Sequence, residues 1–355
     1  MFTLLFLAVV VLLLLVPLIP ALTELLRRSD VSALTVDQQH DGKPTRFALN
    51  FRDFVQRRST SAHDTTLTSD TSKELTAEQP IVEIDSDVQL DIDPGEAVLS
   101  QHSVTLSKGL WMHQEVYAKK DVTCEANVHV RAVLAEERFA TRADVTVLRW
   151  AHATVAQIGN RNEMYGRLTA DNKLVFENTA VFQRLNSPSI AFSSGKPIPI
   201  RQRRPPINAM NRVRPADLPG LIISTDKPRR SVVKGALNLP KNSLFKGDLI
   251  VRGKLKIGEG CLIIGSVKAA GSILLGGRTR IFGSVVSRES IFVGHDCKIK
   301  GLLVAERKAI IGNNVTVGSL EHPSTITAER IEISPGTTMS GTIWARRLGR
   351  ARGDE

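Results

Sequence analysis

The chain has 355 residues and a formal net charge of +11, from 47 Lys and Arg against 36 Asp and Glu. That length accommodates two domains, and three cysteines, a small and odd number, exclude a disulfide-stapled scaffold and fit a reducing compartment. No phosphate-binding glycine loop, zinc-ligand cluster or paired-carboxylate motif falls at a spacing that carries chemistry, so catalytic, cofactor and metal sites are all expected to be absent.

From Met1 to Leu22 there is no charged side chain, and Leu, Val, Ile and Phe dominate. This is about the length a helix needs to cross hydrocarbon, and residues 1–26 read as a transmembrane anchor. A cleaved signal peptide is disfavoured, because no basic residue precedes the run and Ala21, Leu22 and Thr23 make a poor cleavage site. Arg27 and Arg28 follow at once; by the positive-inside tendency they hold the body in the cytoplasm and the N-terminus outside. Residues 27–80 read as a flexible tether, rich in Ser, Thr and Asp over 59–79. Within it, an amphipathic segment at 45–58 places Phe47, Phe51, Phe54 and Val55 on one helical face, with Arg46, Arg52, Arg57 and Arg58 outside it. Such a segment either lies on a bilayer surface or docks on the β-structure that follows.

Residues 81–185 carry a faint six-residue period. Val104 and Leu106, Leu110 and Met112, Val116 and Ala118, Val122 and Cys124, and Val128 and Val130 keep one frame. After a one-residue deletion it resumes at Val133 and Ala135, Phe139 and Thr141, Val145 and Val147, and Ala151 and Ala153. Two inward positions around one outward residue describe a short strand with one buried face. Residues 186–243 read as a Pro- and Arg-rich linker. Its Arg201, Arg203, Arg204, Arg212, Arg214, Arg229 and Arg230 form a basic arm for an anionic membrane surface or an acidic partner. Nucleic acid competes for such an arm, but the stretch lacks aromatic residues for base stacking; a solvated linker is the plain alternative.

The strongest signal lies at 244–346. Glycines recur every eighteen residues at Gly247, Gly265, Gly283 and Gly301, and a second column runs through Gly258, Gly276, Gly294 and Gly312. Between them one inward frame runs Leu249, Leu255, Cys261, Val267, Ile273, Thr279, Val285, Ile291, Cys297, Leu303, Ala309 and Val315. A second frame follows two residues later, from Val251 to Val317. Three short strands per eighteen residues make one triangular coil of a β-helix, and a coil cannot bury its own faces, so coils must stack. Glycines are expected at corners that need positive φ. Cys261 and Cys297 lie two coils apart, beyond disulfide reach. The end of the repeat bears Ile343 and Trp344, an apolar pair suited either to adhesion between molecules or to capping, before a short tail at 347–355.

The segment GSVVSRESIFVGHDCKIKGLLVAERKAIIGNNVTVGSL resembles the bactofilins, polymer-forming cytoskeletal proteins of bacteria. The resemblance covers about 244–346 well and 90–159 weakly. It implies a right-handed parallel β-helix that assembles end to end without nucleotide into a scaffold localising cell-envelope or polarity machinery. With the anchor, this gives a single-pass protein of the bacterial inner membrane with a cytoplasmic body, whose partners are itself, the membrane and envelope proteins. The two stretches, the basic insertion and the anchor depart from the usual bactofilin plan, and a monomeric membrane-bound adaptor is the alternative. Units such as IGEGCL and VGHDCK also resemble the hexapeptide repeats of acyltransferases, for which His295 and His322 are the available histidines. His295 follows a corner glycine and His322 sits in a loop, so this enzymatic reading is the weaker one.

Overall fold

A computed structural model describes residue 2 and residues 44–61, 81–192, 206–223 and 230–353. The expected anchor and most of the tether lie outside the described residues. Among the described residues, no helix is long and apolar enough to cross a membrane. The unit Pro44–Glu355 is a β-solenoid of about 14 turns.

Alternation builds the strands, and the pitch of the coil stacks them. From strand Arg230–Val233 to strand Leu303–Ala305 each strand pairs in parallel with the strand three further on: Val267 faces Val285, Ile273 faces Ile291, and Ile281 faces Ile299. Every residue of the two frames at 249–317 is buried, as are the frame residues from Val104 to Ala153. Each Val, Leu, Ile, Phe or Met side chain so buried contributes roughly 1.5–3 kcal/mol.

In the first glycine column Gly247 and Gly265 hold the expected positive φ, at 122° and 153°, whereas the second column serves a different purpose. Gly258, Gly276, Gly294 and Gly312 have no positive φ; a Cβ at Gly276 would stand 2.5 Å from the Glu259 amide nitrogen, and one at Gly294 would stand 2.6 Å from that of Gly277. They are needed because adjacent coils touch there. The left-handed corner lies two residues on, at Asn242, Gly260, Arg278, Asp296 and Asn314, with φ between 55° and 70°. Asn and Asp tolerate that region better than most side chains.

The two stretches form one continuous solenoid. A single inward column runs through Val98, Val116, Val133, Ala151, Leu168 and Leu185. It then crosses to Ile343 and continues through Ile326, Leu303, Val285, Val267 and Leu249. The crossing is antiparallel: strand Ala180–Phe192 pairs with strand Thr337–Ala351, so the halves meet by their C-terminal coils. Phe176, Phe182 and Phe192 fill the core at this seam, with Phe176 and Phe192 stacked 5.0 Å apart.

Three expected boundaries move accordingly. Residues 186–192 belong to a seam strand, the seam strand Thr337–Ala351 takes in part of the expected tail, and the C-terminal half begins at strand Arg230–Val233. Much of the presumed linker is a cap. Strand Asn211–Arg212 pairs with Ser243–Lys246, strand Leu221–Ile223 pairs antiparallel with Arg230–Val233, and Leu218 is buried against the core beside Val213 and Leu221. Pro-rich chain suits this place, because a terminal edge asks for few backbone donors.

The amphipathic segment is helix α1, Arg46–Ser61, and it docks on the solenoid wall. Ala48 and Val55 are buried with Leu99, Tyr117 and Leu134, and Phe51 meets Trp150 edge-on at 5.7 Å. Arg52 pairs with Glu136 at 2.8 Å.

Candidate functional site: the ends and the seam of the rod

The N-terminal end coil is open among the described residues. Strand Ile81–Ile84 pairs only with Ala97–Ser100, and Val88–Leu90 only with Val104–Leu106, so the outer edge of each has no strand partner among the described residues. Ile81, Ile84, Val88 and Leu90 are only half-buried, whereas Val104 and Leu106 one coil further in are fully covered. Residues 81–96 hold Glu83, Asp85, Asp87, Asp91, Asp93 and Glu96 and no Lys or Arg. Part of that charge is spent locally: Asp87 accepts from the Ser103 amide at 2.9 Å, and Asp93 lies 2.6 Å from His113 Nδ1. Glu83 and Asp85 are exposed.

The other end has the opposite sign. Arg212 and Arg214 are exposed on the cap, and Arg230 opens the first strand beneath it with its Nε buried and without a hydrogen-bond partner. The cap lies over two sides of the first coil, and among the described residues strand Leu237–Leu239 pairs only with Leu255–Ile257. Arg201, Arg203, Arg204 and Arg229 lie outside the described residues.

Ile343 and Trp344, expected at an adhesive end, sit inside the seam. Ile343 is fully buried opposite Leu185, and Trp344 stands opposite Arg184, whose guanidinium lies 4.4 Å from the ring centroid. The end that the repeat pattern left open is covered by the chain's own N-terminal half.

Along the walls, several charges on neighbouring coils are matched. Arg138 pairs with Asp121 at 2.7 Å, Arg161 with Asp144 at 2.5 Å, Arg131 with Glu115 at 3.4 Å and Arg278 with Glu259 at 2.8 Å. The groove at the seam is lined by no acidic residue. Trp150, Arg167, Arg184 and Trp344 are successive cross-strand neighbours, and they line a groove of about 380 Å³ together with Arg149 and Arg346. This row was not picked out from the sequence, because its members lie 17 residues apart and then cross the chain to 344. The one local signal is Gly166, where a Cβ would strike the Arg149 carbonyl oxygen and where the pairing register shifts.

The thiols are inert. Burial pushes the Cys297 pKa up to about 12 and raises those of Cys124 and Cys261, and all three cysteines are free. Cys261, Thr279 and Cys297 point their donors at corner carbonyls of Pro240, Gly258 and Gly276, which explains why a dry column accepts polar side chains. His295 stands 2.8 Å from Asp296 on the surface, and His322 closes a short turn with Ser319. Comparison of the chain with protein-family models, curated proteins and solved structures finds no match.

Proposed function

We propose that this protein is a bactofilin-like scaffold, wound right-handed, tethered to the cytoplasmic face of a bacterial inner membrane by residues 1–26, whose rods stack end to end without a cofactor. The observation that carries the reading is the opposed character of the two rod ends among the described residues: an acidic coil with open strand edges at 81–96 and a basic end at 206–223 and 230–234, with Arg212, Arg214, Arg230 and Lys234 against Asp217. Two acidic ends repel each other, so the favoured joint is acidic end on basic end, a heterologous contact that repeats instead of closing. The tail-to-tail seam leaves these two ends of the described residues for assembly. Envelope or polarity proteins would then be recruited along the walls, with the remaining arginines of 201–230 near the anionic leaflet.

Electron microscopy and sedimentation of the full chain in detergent test this. Wild type is expected to form elongated species that shorten with added salt. Glu83→Lys with Asp85→Lys, or Arg212→Glu with Arg214→Glu, is expected to give single rods, and the four changes combined should restore stacking. Wild type that stays monomeric across a wide concentration range overturns the polymer and favours a monomeric membrane-bound adaptor, consistent with the cap over one end.

The placement is tested separately. The native thiols are buried, so a cysteine at the exposed Ser86 reports alone. It should resist a membrane-impermeant thiol reagent in intact cells and react after lysis; labelling in intact spheroplasts would put the body on the outer side.

A further inference from the structure

On the wall at the seam, two arginines face each other across neighbouring strands, Arg167 against Arg184, with Trp150 beyond one and Trp344 beyond the other. Strands in a ladder lie about 4.8 Å apart, and like charges directly opposite are destabilising. Among the described residues no carboxylate pairs with Arg149, Arg167 or Arg184, and no acidic residue lines the groove. Burial and the neighbouring Arg167 cation both push the Arg184 pKa below its ordinary value. Arg184 is held over Trp344 and Arg167 over the Phe47 ring of α1 at 4.5 Å, while Arg346 is fixed by donating to the Glu306 carbonyl. The cationic row is therefore pre-positioned, and no carboxylate of the groove lining compensates it.

We propose that the Trp150–Arg167–Arg184–Trp344 groove binds a phosphate group, supplied either by a phosphomonoester lipid headgroup or by a free phosphate compound. One guanidinium suffices for a carboxylate, whereas two or more side by side offer enough donors to engage several oxygens of a doubly charged phosphate. The flanking indoles border a half-buried pair, where a charge-assisted hydrogen bond is stronger than in open water. Because the row crosses the seam, a bound phosphate would tie the last coil of one half to the last coil of the other.

The probe is inorganic pyrophosphate, titrated at constant ionic strength into the full chain in detergent. Two of the three tryptophans border the groove, so intrinsic fluorescence reads the site. A saturable fluorescence change and a raised melting temperature are expected. Arg167→Gln and Arg184→Gln should each weaken binding by at least about tenfold, while Arg142→Gln, which lies outside the groove lining and pairs with Glu125, leaves it unchanged. Without ligand, Arg184→Gln should melt no lower than wild type, because it removes a like-charge neighbour. Nanodiscs of phosphatidylcholine, alone or with phosphatidic acid, identify the source: competition by the second only assigns the headgroup, and competition by neither assigns a free phosphate. A response that does not saturate, that survives both Gln variants, or an Arg184→Gln protein that melts well below wild type without ligand overturns the site and makes the arginines structural.

Discussion

At the scale of single residues, the fold is set by which side of a three-residue strand faces inward. Val285 is fully buried and Arg288 is exposed. Val285→Lys places an unpaired charge in a dry column at a cost of several kcal/mol, whereas Arg288→Glu should change stability little. Thermal melts check this, and equal losses would mean the frame is misassigned. The frame was legible because a period of six with two apolar positions has no other economical reading. The glycine columns were legible as columns but not as contacts: coil-to-coil approach depends on the backbone three strands away. Gly276→Ala therefore should destabilise through collision with Glu259 and not through backbone strain, and a melt in which Gly276→Ala matches wild type would refute the close approach.

At the scale of elements, α1 and the cap are the pieces whose partners the sequence could not name. The pattern of Phe47, Phe51 and Val55 gave an amphipathic helix; its target, Leu99, Tyr117 and Leu134, is spread over three coils as outward-facing residues that read locally as ordinary surface. Beside this joint, His152 is buried across from Leu134, with Nδ1 2.8 Å from Thr169 Oγ1 and Nε2 3.4 Å from Asp171. Burial lowers its pKa, opposed by Asp171 and Glu136 and aided by Arg52. The folded state thus takes up a proton less readily than the unfolded chain. Its stabilisation is fully present above the ordinary imidazole pKa of about 6.5 and is lost as pH falls through the lowered folded value. Melting temperature should accordingly drop on acidification below that point, and His152→Gln should flatten the drop. An unchanged acid limb in the variant would assign the loss to carboxylates elsewhere.

At the scale of the whole molecule, the decisive contact joins Leu185 to Ile343, residues that no local pattern relates. Each half alone reads as a repeat with a frayed end; together each supplies the other's last coil, and a short tail becomes the seam strand. In a stacked array stability is roughly a sum of coil terms and nearest-neighbour interfaces, so a defect at the seam should spread to both halves before it reaches the far coils. A glutamate at Ile343 enters the core there, as does one at Leu185. Hydrogen exchange of Ile343→Glu should show lost protection in both Ala180–Phe192 and Thr337–Ala351, with protection retained near Leu249 and Val267. The same variant would have been harmless to the rod if residue 343 stood at a free end, changing assembly only. Full protection of Ala180–Phe192 in Ile343→Glu would therefore separate the halves and restore two independent solenoids.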